Sequence, residues 1–207
     1  ARLTSAEKAR ALQIIQQRIE TRVPAAYLTH EAWLGEHRFY VDQRVIVPRS
    51  HIAELLEDQL SPWVEDPWAI DRVLDLCTGS GCLAILAAIA FPEAQVEAVD
   101  LSGDALAVAR RNVADYGLES RVELIQSYVN AESMASLPQE YRQEPELALA
   151  SGDDGLDFTR IILQNAATHL NPNGVLIVEI GNNREALETA FPEIPFVWLD
   201  TAAGDDF

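Results

Sequence analysis

The chemistry this chain could perform is concentrated in one run, Leu74-Asp75-Leu76-Cys77-Thr78-Gly79-Ser80-Gly81-Cys82-Leu83-Ala84. A short apolar stretch enters a glycine-rich turn, and apolar helix formers follow. Glycines at 79 and 81 let the backbone turn tightly and let a ligand approach where a Cβ would stand in the way. Gly79-x-Gly81-x-x-Ala84 satisfies the dinucleotide-binding fingerprint. Asp100 closes the next apolar stretch, where an acid would take the hydroxyls of a ribose. A nucleoside ligand with a free ribose is therefore expected, although Asp100 could also be a plain helix-capping acid. Asp75 narrows the choice. A carboxylate just before the glycines suits a cationic amino-acid moiety and would repel a pyrophosphate, which favours S-adenosylmethionine over a nicotinamide dinucleotide.

Other reactive residue types carry less. His30, His37, His51 and His169 show no metal-ligand spacing, so no metal site is expected. Cys77 and Cys82 read as small core or turn thiols rather than nucleophiles. The four tryptophans, Trp33, Trp63, Trp68 and Trp198, read as packing residues. Arg49 and Glu54 either line a substrate groove or form a salt link at a helix start.

These residues must be positioned by regular elements, and the pattern supplies them. Thr4 and Glu7 form a capping box for a first helix with Leu12, Ile15 and Ile19 on one face, ended by Pro24. Alternation around Gly35 over 27–47 predicts a hairpin, and a helix follows Pro48 with Ile52, Leu55 and Leu56 inward. From Arg72 strands and helices alternate: strands over 73–77, 96–99 and 122–125, helices over 83–90 and 105–115, the latter capped by Ser102. A helix over 156–170 and strands over 174–180 and 196–199 complete the series. Strands separated by such helices make a parallel sheet with right-handed crossovers. The expected division is 1–70 for the N-terminal helix, hairpin and linking helix, and 71–207 for a Rossmann-like domain.

The alternation fails at one place. After Ile125-Gln126-Ser127 the chain runs straight into Tyr128-Val129-Asn130 and a loop rich in Glu and Pro, where a helix and a central strand are due.

Several stretches together resemble the HemK/PrmB group of protein-glutamine N5-methyltransferases. They include Arg22-Val23-Pro24-Ala25-Ala26-Tyr27-Leu28, Val47-Pro48-Arg49-Ser50-x-Ile52-Ala53-Glu54-Leu55, the glycine turn, and Asp100-Leu101-Ser102-x-x-Ala105-Leu106-x-x-Ala109-x-x-Asn112. Glu144-Pro145-x-x-Ala148-Leu149-x-x-Gly152-x-x-Gly155 continues the match towards the end of the chain. The turn residues and Leu137-Pro138-x-Glu140-Tyr141-Arg142 are closest to the PrmB type, which acts on large-subunit ribosomal protein L-three. The resemblance implies a Rossmann-like S-adenosylmethionine-dependent methyltransferase, with Asp75, Cys77, Thr78, Gly79, Ser80, Gly81, Asp100 and Leu101 at the cofactor. It also implies ribosomal protein L-three as the protein substrate. The release-factor enzyme of the same group and a nicotinamide-dependent dehydrogenase are the alternatives. The group's Asn-Pro-Pro-Tyr motif ends a fourth strand; here only the tyrosine stands, as Tyr128, in the catalytic position. The expectation is that residues are missing between Ser127 and Tyr128.

The composition is consistent with this. The 207 residues carry 33 acidic and 15 basic side chains, a net charge of −18, and 48% are hydrophobic, which excludes disorder. The strong acidity argues against a phosphate-backbone binder and permits a basic partner. No apolar run is long enough for a membrane span and no secretory signal pattern is visible. With two cysteines five residues apart, a reducing, cytoplasmic setting is expected.

Overall fold

The computed structural model describes residues 3–127, 154–181, 183–199 and 201. Helix α1 (Ser5–Thr21) starts at the expected capping box: the Glu7 amide donates to Thr4 Oγ1 at 3.3 Å, and the Thr4 amide donates to Glu7 Oε2 at 2.6 Å. Arg22, in the left-handed region at φ 60°, ends the helix before Pro24. Leu12, Ile15 and Ile19 share its exposed side and are not core residues. Helix α2 (Ala25–Thr29) leads into an antiparallel pair, β1 (Ala32–Leu34) and β2 (His37–Phe39), which turns at Gly35. The hairpin is thus shorter than the alternation suggested. Val41 and Val45 are buried as loop residues against Ala105 and Val108 instead of pairing in a ladder.

Helix α3 (Ile52–Glu57) follows, burying Ala53 and Leu56. The central sheet is parallel, in the order β3 (Arg72–Leu76), β4 (Gln95–Asp100), β5 (Val122–Gln126). Its crossovers are α4 (Cys82–Ala90) and α5 (Gly103–Asp115). Helix α4 is almost wholly apolar because it is buried nearly all round: Ala84, Ile85, Ala87 and Ala88 pack with Val96, Ala98, Val122 and Phe39. Arg121 closes the far end of α4 by donating to the carbonyls of Ala88, Phe91 and Ala94. Helices α6 (Asp157–His169) and α7 (Arg184–Ala190) complete the described elements.

Two expected strands are not seen among the described residues. Residues 174–180 and 196–199 run without a sheet ladder, and Val175 and Leu176 are exposed. Strand β3 is also short of a neighbour. Among the described residues it pairs with β4 alone, and its Leu74 is 51% exposed, although a strand inside a parallel sheet is covered on both faces. The apolar run over 174–180 has no described neighbour to bond to.

Candidate nucleoside site at the ends of β3 and β4

The in-register pairing of Leu76 with Val99 brings the ends of β3 and β4 level, in the region where open α/β sheets bind ligands. The turn between β3 and α4 is held from several sides. The Thr78 amide donates to the Val99 carbonyl at 3.0 Å, and the Gly81 amide donates to the Thr78 carbonyl at 2.9 Å. The Gly79 amide donates to Asp100 Oδ2 at 2.8 Å, while Asp100 Oδ1 accepts from the Ser102 amide at 2.8 Å. Asp100 is therefore both the acid at the strand end and an anchor of the turn, with further lone pairs on each oxygen. Leu101 beside it is half-buried, its carbonyl accepting from Gln126 Nε2 at 3.1 Å.

Three residues of the turn occupy the left-handed region: Cys77 at φ 62°, Gly79 at 55° and Gly81 at 78°. For Gly79 the freedom serves access, since a Cβ there would meet only the Cys77 carbonyl oxygen, at 4.0 Å. For Gly81 it serves packing, since a Cβ would lie 3.0 Å from the Ala109 Cβ on α5. Thr78 and Ser80 are buried. The positive φ of Cys77 was not readable from the sequence, because a non-glycine residue gives no local signal for it.

Asp75 sits under the turn, and Thr78 Oγ1 donates to its Oδ2 at 2.6 Å. The residue keeps some exposed surface, yet enough protein encloses its carboxyl that desolvation lifts the pKa to about 6. The Thr78 hydrogen bond opposes that rise and the nearby Asp100 charge adds to it. Cys77 and Cys82 are pushed up to about 11, first by desolvation, with the Asp75 charge adding at both and the Asp100 charge at Cys77. Both are protonated thiols at neutral pH, as expected for residues that do no nucleophilic work. A turn uncrowded at Gly79, with Asp100 on its amide and Asp75 beneath, suits a cationic nucleoside such as S-adenosylmethionine better than a pyrophosphate. All eight expected cofactor residues cluster here; Tyr128 lies outside the described residues.

A family model for the methyltransferase small domain matches residues 54–194. The ribosomal protein uL3 glutamine methyltransferase of Neisseria gonorrhoeae is 56% identical over 225 aligned positions, covering 100% of this chain and 75% of the relative. The chain belongs to this methyltransferase family. Relatives of the same name show the same breadth of match. That of Bordetella pertussis is 56% identical, covering 100% of this chain and 76% of its own. That of Bradyrhizobium diazoefficiens is 50% identical, covering 97% and 71%. In a methyltransferase the dinucleotide-like spacing of the turn serves a nucleoside without a pyrophosphate, so the dehydrogenase alternative falls away.

Sequence reasoning named Asn112 in the motif of the helix after Asp100 but gave it no part in the site. Asn112 of α5 donates through Nδ2 to the Ser80 carbonyl at 2.8 Å, which ties the turn to the helix behind it. Its signal was an asparagine inside a helix, where that residue type is a poor former.

Proposed function

We propose that the chain transfers the methyl group of S-adenosylmethionine to the side-chain amide nitrogen of a glutamine in ribosomal protein uL3. The observation that carries this reading is 56% identity along the entire chain to enzymes of that name, joined to a glycine turn with Asp75 bonded to Thr78 and Asp100 to the Gly79 amide. The sulfonium of the cofactor supplies an electrophilic methyl. Asp100 would hold the ribose hydroxyls, and Asp75 would face the cationic amino-acid end. Cys77, Thr78, Gly79, Ser80, Gly81 and Leu101 would form the walls between them.

An amide nitrogen is a weak nucleophile because its lone pair is delocalised into the carbonyl. The family resemblance supplies a remedy: an Asn side-chain oxygen and a Pro carbonyl accept both amide protons and hold the nitrogen in line. Tyr128 would pack on the amide plane. No base is needed before transfer, since the proton can leave afterwards. The same substrate puts the enzyme's work in the cytoplasm.

The Asn-Pro-Pro part of that machinery is not in this sequence, and we propose that the natural protein carries further residues between Ser127 and Tyr128. The N. gonorrhoeae alignment runs over 225 positions, 18 more than the chain's 207 residues. Among the described residues β3 pairs with β4 alone and 174–180 joins no ladder, which supports a sheet with one more strand. The part after residue 70 is the one that would gain the strand.

Peptide mass spectrometry of uL3 incubated with the natural enzyme and S-adenosylmethionine should find one glutamine heavier by a methyl group. Unmodified uL3, with cofactor demonstrably bound, would reject the substrate assignment. Tryptic mapping of the enzyme tests the second proposal. An uninterrupted peptide from Val122 to Arg142 in the natural protein would reject it.

A further inference from the structure

We propose that Asn112 is a positioning residue for the cofactor turn, and that it couples the ordering of the segment around Tyr40 to cofactor binding. The inference rests on the reading that the nucleoside lies on the turn over 77–81. Asparagine is costly inside a helix, yet Asn112 sits within α5 and is only 1% exposed. All three of its side-chain hydrogen bonds go to main-chain atoms of distant segments. Nδ2 donates to the Ser80 carbonyl at 2.8 Å and to the Tyr40 carbonyl at 3.0 Å. Oδ1 accepts from the Tyr40 amide at 2.7 Å. Because a backbone N–H can only donate, the Tyr40 amide dictates which way the side-chain amide faces, and so aims the Nδ2 donors.

The Ser80 carbonyl lies between Gly79 and Gly81, both in the left-handed region. Holding that oxygen fixes the Ser80–Gly81 peptide plane, and with it the path of the backbone under the cofactor. Ala109, one turn earlier on the same face of α5, supports Gly81 by contact. Helix α5 therefore grips the turn twice, once by shape and once by hydrogen bond. On the other side Tyr40 is itself a node. The Arg111 guanidinium lies 3.6 Å over its ring, His30 stacks on it at 5.4 Å, and its hydroxyl donates to Asp42 Oδ2 at 3.0 Å. From Tyr40 the chain runs on through Val47 to Arg49 and Ser50, whose hydroxyl donates to Glu179 Oε2 at 2.5 Å. One amide thus bridges the cofactor turn and the segment that leads to the C-terminal half. Linkage makes the coupling reciprocal: whatever orders the turn also orders Tyr40.

Two measurements test this. In the wild-type protein, hydrogen exchange at the Tyr40 amide should slow when S-adenosylhomocysteine saturates the site. In Asn112→Ala and Asn112→Asp, the Kd for S-adenosylhomocysteine should rise about tenfold, the factor that about 1.4 kcal/mol represents. Asn112→Asp keeps an acceptor for the Tyr40 amide but loses the donors to both the Ser80 and Tyr40 carbonyls, so it releases Ser80 while one bond to Tyr40 remains. A purely structural asparagine would lower Tm and leave the Kd of the folded variant unchanged. An unchanged Kd in a variant that circular dichroism shows to be folded, or indifferent Tyr40 exchange in wild type, overturns the proposal. If neither variant folds, the wild-type exchange decides alone. Failure of the wild type to bind S-adenosylhomocysteine would instead reject the cofactor reading, and this inference with it.

Discussion

Asp75 and Asp100 face one turn and do different work. Asp100 is tied to the Gly79 and Ser102 amides, so its carboxylate is oriented before any ligand arrives. Asp100→Ala should weaken S-adenosylhomocysteine binding by about 1.5–3 kcal/mol, the worth of charge-assisted hydrogen bonds, as read by calorimetry. Equal affinity would remove the ribose role. Asp75 is costly to ionise. In the unfolded chain it titrates near pH 3.9, as aspartates do; in the folded chain its pKa is raised to about 6. Between those values the folded state holds a proton that the unfolded state has released. Stability from this group is therefore fully present below about pH 4 and is lost as pH climbs through about 6, by at most about 3 kcal/mol. Asp75→Asn should flatten that window in urea titrations and raise stability at pH 7, while weakening the cofactor. Cofactor affinity in wild type should strengthen as pH rises through about 6, because the ionised acid meets a cation. A pH-independent Kd across that range would show that Asp75 does not face the charge.

At the scale of elements, the two crossover helices are held by different means. Helix α5 begins at Ser102, whose side chain accepts from the Ala105 amide at 3.2 Å, and ends at Gly117 in the left-handed region. Helix α4 begins at Gly81, pressed on Ala109. Alanine at these two glycines should have unequal consequences. Gly117→Ala meets nothing within 4 Å and should cost about 1–2 kcal/mol for the left-handed backbone alone. Gly81→Ala adds a collision with backbone and Cβ of α5 and should cost about 3 kcal/mol or more, with lost cofactor binding. Urea midpoints of the two variants give the comparison, and equal losses would mean that α5 yields easily. The lengths of both crossover helices were readable from caps and apolar runs. The unladdered state of 174–180 was not. Its residues have strand character, but a ladder also needs a partner, and none of the described strands is placed to pair with it.

For the molecule as a whole, charge is the property that reaches furthest. At −18 the chain should attract a basic protein through its long-range field. The on-rate for uL3 should fall between low salt and physiological salt, as screening shortens the field to about 8–10 Å. A salt-independent on-rate in stopped-flow mixing would exclude steering. The core itself is shared: Phe39, Ala53 and Leu56 from the first 70 residues pack with the α4 and β4 residues of the remainder. The N-terminal segment is thus built into the same core as the sheet, and Asn112 adds a polar tie between them.

The sequence alone singled out the candidate turn and the ligand chemistry proposed for it, because those signals are local. Glycine spacing, a preceding Asp75 and a following Asp100 act within a few residues of one turn. Helix starts at Thr4 and Ser102 were equally local, each set by a side chain reaching an amide three residues on. Only the tertiary structure decided what those residues lean on. The left-handed Cys77, the exposure of Leu12, Ile15 and Ile19, and the Asn112 bridge to Tyr40 all depend on partners far away in sequence. Tyr40 and Asn112 are 72 positions apart, and no propensity or period connects them. A hydrogen bond of that kind exists only once packing has brought both backbones to the same buried amide, because burial is what makes leaving it unpaired so costly.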